Sequence, residues 1–349
     1  MNYKVMQVGC GKLASYLMRY VIEDGGEIIG AVDNDPDLLG MDIAKIASLE
    51  EKSGIEVNRL SDLEDLIKSG KPDIAIIATD MLLEPVAGLV RTCVENHLNV
   101  IIAGDEALYP ANSNPNLYQQ LDALAKEYQC TISGGGYYEG LWGTMVSSLA
   151  ASTHTIKTIS GHSILNIDDF GAGLCQAYGI GLTKAAFEKA FSAIDELSDE
   201  KRDALIKNGQ YVTCGIWNFG GWVSDKYGLH LKSQHQLRTP ILAETDISSI
   251  ALGKKLKKGC VIGMHDYYEA QTKAGITINI DFEAKILNRD EISLENWQIE
   301  GEPNKTITMQ GVNGLSCACA AIVNRIPEVV KATPGYIPSC RLGELKFRK

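Results

Sequence analysis

The first residues with the types and spacing for chemistry are Gly9-Cys10-Gly11-Lys12-Leu13-Ala14, set between the apolar run Val5 to Val8 and a helical pattern. Gly9 permits a tight turn off a strand, Gly11 lets the backbone approach a pyrophosphate, and Ala14 stands where a small residue lets the new helix pack on the strand. First-turn N–H groups would then face the phosphates. A second apolar strand, Glu27 to Val32, ends in Asp33 at the spacing of a ribose-binding carboxylate. The pattern predicts a dinucleotide site built from Gly9, Cys10, Gly11, Lys12, Leu13, Asp33 and Asn34, joined by Thr79 and Asp80 at a later strand end. Asp33 would accept from both ribose hydroxyls of NAD and repel the 2′-phosphate of NADP. No arginine follows it, and Lys12 is the one nearby cation that could rescue NADP, so NAD is favoured.

Hydride chemistry also needs a group that manages a proton. Glu106 follows the apolar strand Asn99 to Ala103 and is flanked by Ala107, Leu108 and Tyr109. Partial burial would raise its pKa toward the range of a general base; from position alone, a surface or capping carboxylate remains open. Tyr137-Tyr138-Glu139-Gly140-Leu141-Trp142 follows the run Gly134-Gly135-Gly136 and supplies either pocket walls or packing, with packing favoured for Tyr138. Asp168-Asp169-Phe170 closes a later strand and could offer a charge for an amine or a wall. His162, His230, His235 and His265 are isolated, and Cys317-Ala318-Cys319 has no second pair or nearby histidine, so no metal is expected.

These positions require two kinds of element. The run Ile74-Ala75-Ile76-Ile77-Ala78 is too apolar for a half-exposed strand and predicts a parallel sheet covered on both faces. Helices are expected over Glu84 to His97 and Asn116 to Tyr128, and a strand over Cys130 to Ser133. Beyond Ile156 the pattern shifts to strands at Thr158 to Ile164, Gly259 to Tyr268 and Gly275 to Ile286, around a helical region from Thr183 to Ile206. The fold class is therefore α/β: a Rossmann-type doubly wound sheet (1–136), an α+β substrate and dimerisation domain with an open mixed sheet (137–312), and a C-terminal helical segment (313–349) that Pro327 would bend or restart. The acidic stretch Asp195 to Asp203 reads as a solvated helix end. At 349 residues two domains are expected, and a net charge of −11 argues against a nucleic-acid partner. No apolar run approaches a membrane span and no signal pattern opens the chain. The nine cysteines, Cys93, Cys130 and Cys214 among them, suit reduced thiols, giving a cytoplasmic expectation.

GCGKLAS, AGDEALYP, SGGGYYEGLW, NIDDFGAG, WQIEGEP and AIVNRIPEVVKATPG, in this order, resemble the 2,4-diaminopentanoate dehydrogenases and the related native amine dehydrogenases, which share the two-domain plan of dihydrodipicolinate reductase. The resemblance implies reversible, NAD(P)-dependent reductive amination of a small ketone or aldehyde with ammonia, a homodimer built through the second sheet, and a C-terminal helix that returns to the nucleotide domain. It also implies that Glu106 handles the amine proton and that Trp142 and Phe170 line the substrate site, where Tyr137 and Asp169, read above as a pocket wall and a charge for an amine, are the further candidates. The chain departs from its relatives at Tyr138-Glu139, where they tend to carry Gln-Asp, which bears on the substrate. Three other readings stay open: a diamino-acid dehydrogenase, with Arg238 or Lys232 as the cation for a carboxylate, an imine or ketone reductase, and a non-catalytic NAD(P)-binding sensor.

Overall fold

A computed structural model describes residues 3–212 and 215–348, so Cys214 lies outside the described residues. The chain divides into two compact units: Met1–Gly140 with Lys207–Val212 and Ala318–Lys349, and Leu141–Ile206 with Thr213–Cys317.

In the first unit, apolar runs form a wholly parallel sheet. Its seven strands lie in the order Gly335–Tyr336, Thr131–Gly134, Asn99–Ile102, Ile74–Ile77, Lys4–Val8, Glu27–Asp33 and Val57–Arg59. Ile74–Ile77 is buried along its whole length, as expected of a strand with both faces covered. The chain leaves the central strand Lys4–Val8 first to one side and then to the other, so the switch point falls between Lys4–Val8 and Ile74–Ile77, where ligands bind in such sheets. The helices Lys12–Glu23, Leu83–Glu95 and Pro115–Glu127 connect the strands. Pro115 occupies the first helical position, and the Asn114 side chain caps the helix by accepting from the Leu117 N–H.

The last segment returns to this unit. Helix Gly314–Lys331 runs through Pro327 as one helix, so the restart named among the expectations does not occur: the helix forgoes one ladder hydrogen bond and continues. Cys319 Sγ lies 3.5 Å from the Leu13 carbonyl, against the glycine turn. The Arg325 guanidinium, 3% exposed, bonds the Glu139 carboxylate, itself 2% exposed, and reaches Glu328 Oε2 at 2.7 Å and the Gly343 carbonyl at 2.6 Å. Glu139 is thus engaged by Arg325, a structural use of the position read above as bearing on the substrate. After the helix, Gly335–Tyr336 adds a seventh strand that the helical pattern hides.

The second unit is a six-stranded mixed sheet in the order Lys305–Gln310, Leu294–Glu302, Thr155–Asn166, Thr277–Lys285, Val261–Thr272, Leu231–Leu242. Thr155–Asn166 and Thr277–Lys285 are parallel, and every other pair is antiparallel. Residues Gly215 to Ser224 of helix Gly215–Lys226 are all buried. This helix is apolar all round, so its sequence carries no amphipathic signal. Its close seat on the sheet needs Gly220, where a Cβ would stand 2.0 Å from the Tyr268 hydroxyl. In the acidic stretch Glu196, Asp199, Glu200 and Asp203 are exposed as expected, and of its acids Asp195 alone departs. Asp195 is wholly buried and pairs with Arg238 through two hydrogen bonds of 2.8 and 2.9 Å, because the helix end packs on edge strand Leu231–Leu242 instead of facing solvent.

Removing one partner of a buried ion pair strands the other charge, at a cost of about 3–5 kcal/mol. Arg325→Met should therefore lower the calorimetric unfolding temperature markedly, while Glu139→Gln/Arg325→Met should recover most of the loss. Equal loss in the single and double variants would mean that the stranded charge is not the cause.

Candidate active site

The glycine turn has the geometry its sequence predicts. Gly9 adopts φ +87°, and a Cβ there would lie 2.6 Å from the Ala78 carbonyl, so glycine is required twice over. At Gly11 a Cβ would meet nothing within 4 Å. Gly11 is the N-cap of Lys12–Glu23 and provides no side-chain cap, which leaves the helix N-terminus open to an anion. The Lys12 ammonium lies 5.5 Å from the Tyr16 ring centroid, and Leu13 holds the Cys319 contact. Cys10 donates its N–H to Asp33 Oδ2 at 2.5 Å, while burial pushes its thiol up to about 12, so it is an inert spacer. Asp33 Oδ1 accepts from the Asn34 and Asp35 N–H groups at 2.7 and 2.8 Å. A carboxylate has about four acceptor positions, so one remains for a ribose hydroxyl. Thr79 packs its methyl toward Gly9, and Asp80 accepts from the Leu82 N–H at 2.9 Å. An open anion cradle, a strand-end carboxylate and two exposed residues at the switch point suit a dinucleotide.

Glu106 lies on the same edge, in the turn Glu106–Leu108 after Asn99–Ile102. It is 6% exposed. Oε2 accepts from the Leu83 N–H at 2.7 Å, the first residue of helix Leu83–Glu95, and Oε1 accepts from the Ser113 hydroxyl at 2.7 Å. Burial raises its pKa above the ordinary glutamate value, these two donors pull it back, and Glu84 and Asp80 push it up again. The neighbouring Asp105 carboxyl is pushed up to about 7 by desolvation. The turn itself is clamped: the Tyr336 hydroxyl donates to the Ala107 carbonyl at 2.7 Å, and a Cβ on Gly134 would stand 2.0 Å from that same oxygen.

The first unit thus brings Gly9, Cys10, Gly11, Lys12, Leu13, Asp33, Asn34, Thr79, Asp80 and Glu106 to the sheet edge and its flanking turns. Tyr137 and Tyr138 are both buried, with ring centroids 5.4 Å apart. In the second unit Trp142 is fully enclosed by Phe219, Phe282 and Trp297, and its indole N–H donates to Glu295 Oε2 at 2.7 Å. That is a core position and not an open wall. Asp169 accepts from Asn166 at 3.0 Å, and Phe170 stays half-buried at the end of its turn. Asp168 accepts from Ser249 Oγ and from the Ile250 and Ala251 N–H groups, so it anchors a loop. Among the described residues no group of three or more His, Cys, Asp or Glu is placed to hold a metal. Ser113, Gly134 and Tyr336 have no local signature; only the fold brings them to Glu106.

A doubly wound nucleotide-binding unit, a mixed-sheet second unit and a buried carboxylate at the switch-point edge define a two-domain dehydrogenase. Residues 141–342 match the 2,4-diaminopentanoate dehydrogenase C-terminal domain. The 2,4-diaminopentanoate dehydrogenase of Acetoanaerobium sticklandii is 24% identical over 342 residues, covering 95% of this chain and 91% of that protein. The structure of an amine dehydrogenase from Mycobacterium smegmatis superposes with a TM-score of 0.89 at 30% identity, over 100% of this chain and 98% of that one. A dihydrodipicolinate reductase from Paenisporosarcina sp. TG-14 shares the fold, at TM-score 0.50 and 13% identity over 97% of each chain. The chain belongs to the amine dehydrogenase and 2,4-diaminopentanoate dehydrogenase-like family, and it is an NAD(P)-dependent oxidoreductase acting on a CH–NH2/ketone pair.

The raised pKa of Glu106 has a signed effect on stability. Folding favours the protonated acid, so the stability present below the unfolded-state value near 4.5 is lost as pH rises through the folded value. Glu106→Gln keeps the shape and removes the charge. Its unfolding temperature should exceed that of the wild type at about pH 8, by roughly 2–4 °C for each ~1 kcal/mol of relief, and converge with it near pH 4. A constant offset across that range would contradict the sign.

Proposed function

We propose that the protein catalyses reversible reductive amination of a small ketone or aldehyde with ammonia, with Glu106 handling the amine proton. The observation that carries this is a buried, strand-end carboxylate held by the Leu83 N–H and the Ser113 hydroxyl, with acceptor positions left over. Bound NAD(P)H supplies the hydride. Glu106, as carboxylate, accepts a proton from ammonium so that the nitrogen can attack the carbonyl carbon. Glu106 returns that proton to the departing hydroxyl, so that water leaves, and the carboxylate, ionised again, stabilises the positive charge of the iminium. In balance, the ketone and ammonium take up one hydride and one proton and release one water and the protonated amine.

Gly9 to Leu13, Asp33, Asn34, Thr79 and Asp80 would hold the dinucleotide. Asp33 favours NAD, since a 2′-phosphate would meet its charge while its oxygens already accept three backbone N–H groups. Tyr137, Asp169 and Phe170 are the proposed substrate contacts, and Trp142 is assigned to the core of its own unit. A substrate without a carboxylate is favoured, because Arg238 is neutralised by Asp195 and Lys232 lies exposed on an edge strand. The second reading, a 2,4-diaminopentanoate-type substrate, draws on the activity named for the Acetoanaerobium sticklandii relative. A cytoplasmic location is part of the proposal. So is a homodimer: on the sheet face that carries His162 and Asp281, the buried amide oxygens of Asn279 and Asn296 have no hydrogen-bond partner among the described residues. Sedimentation should return twice the chain mass of 37.9 kDa.

Ketones, aldehydes and keto acids assayed with and without ammonium, with NADH and NADPH followed separately, test the reading. Turnover should require ammonium, prefer ketones or aldehydes over keto acids, and prefer NADH. Asp33→Ser should shift preference toward NADPH, and Glu106→Gln should lower kcat by about 10²–10⁴-fold. Ammonium-independent reduction would point to an imine or ketone reductase, and cofactor binding without turnover to a sensor.

A further inference from the structure

We propose that Ser113 is a positioning residue for the amination reaction: its hydroxyl, donated to Glu106 Oε1, holds the carboxylate in one orientation and stabilises its charged form. This rests on the assignment of Glu106 as the proton-handling group.

The geometry has three parts. Ser113 is fully buried, and its hydroxyl lies 2.7 Å from Glu106 Oε1, the length of a short charge-assisted hydrogen bond. Its backbone is rigidly placed: the Ser113 and Asn114 N–H groups both reach the Pro110 carbonyl, at 3.1 and 2.8 Å, and Asn114 caps the helix that begins at Pro115. The other oxygen, Oε2, is pinned by the Leu83 N–H at 2.7 Å. With one donor on each oxygen, rotation of the carboxylate breaks a bond whichever way it turns. Each oxygen keeps a free lone pair for a proton on the substrate nitrogen.

The surroundings explain why a second donor matters. Asp80 on the preceding strand end and Glu84 on the helix both oppose ionisation of Glu106. Asp105 is its chain neighbour, and the Tyr336 phenol, well above its usual range, supplies no cation. No positive side chain is among the groups that shift Glu106. Its charged form is therefore maintained by two hydrogen bonds, one from the main chain and one from Ser113. The main-chain donor is carried by the backbone, so among the described residues Ser113 is the side chain whose hydrogen bond favours the charged form against Glu84 and Asp80.

The test compares the pH dependence of kcat/KM for reductive amination in wild type, Ser113→Ala, Ser113→Thr and Glu106→Gln. Ser113→Ala should move the acid limb up by about one pH unit and lower the rate about tenfold on that limb. The rate should recover at high pH, and Ser113→Thr, which retains the hydroxyl, should return the limb toward the wild-type position. A purely structural role would lower the rate at all pH values and leave the limb where it was. A readout independent of turnover is the pH at which the gap between the unfolding temperatures of Ser113→Ala and Ser113→Ala/Glu106→Gln stops widening, which marks the folded-state value of Glu106. That pH should lie above the corresponding point for the wild-type background. An unmoved limb in Ser113→Ala, with Glu106→Gln inactive, overturns the role of Ser113 alone. Full activity in Glu106→Gln overturns the assignment of Glu106 itself.

Discussion

A carboxylate withdrawn from water stays ionised only where donors replace the lost solvent, and Glu106 is such a group, 6% exposed at the end of a buried strand. Much of the first unit is organised to meet that requirement. The helix after Ile74–Ile77 begins at Leu83 and aims its first N–H at Oε2, while the turn before helix Pro115–Glu127 brings the Ser113 hydroxyl to Oε1. Burial raises the proton affinity and the donors lower it. Their balance leaves the Glu106 carboxyl above its ordinary range.

The C-terminal segment serves the same turn from the other side. Gly335–Tyr336 extends the sheet beside Thr131–Gly134, and from there the Tyr336 hydroxyl reaches the Ala107 carbonyl, one residue beyond Glu106. Arg325 and Glu139 tie the helix to the end of the glycine run, and Cys319 rests on the Leu13 carbonyl at the nucleotide turn. One returning segment therefore touches both the glycine turn and the turn that carries Glu106.

The second unit answers a different demand. Its sheet buries one face under a helix that is apolar on every side, and small residues make room for large rings: Gly220 under Tyr268, Gly161 under Trp297, Gly143 under Trp222. Some of its buried polar groups are matched internally: the Trp142 indole and the Ser163 hydroxyl on Glu295, and Arg238 on Asp195. Because Arg238 is neutralised in this way, a cation visible in sequence is not a free carboxylate receptor.

Local pattern alone determined the strand, glycine turn and helix at Gly9 to Ala14, the carboxylate Asp33 and the buried strands that place Thr79 and Glu106 at their ends. Each of these depends on backbone conformation and periodicity over a few residues, and such constraints are written where they act. The ordered motifs from GCGKLAS to AIVNRIPEVVKATPG pointed to the family by resemblance. Only the tertiary structure decided that Glu139 pairs with Arg325 across 186 residues of chain, that Asp195 is buried against Arg238, that Trp142 is a core residue, and that Ser113 and Tyr336 hold the turn of Glu106. The physical reason is the same for all of them. Hydrogen bonds and ion pairs between distant segments are fixed by how elements pack, and no spacing along the chain encodes which buried donor will meet which acceptor.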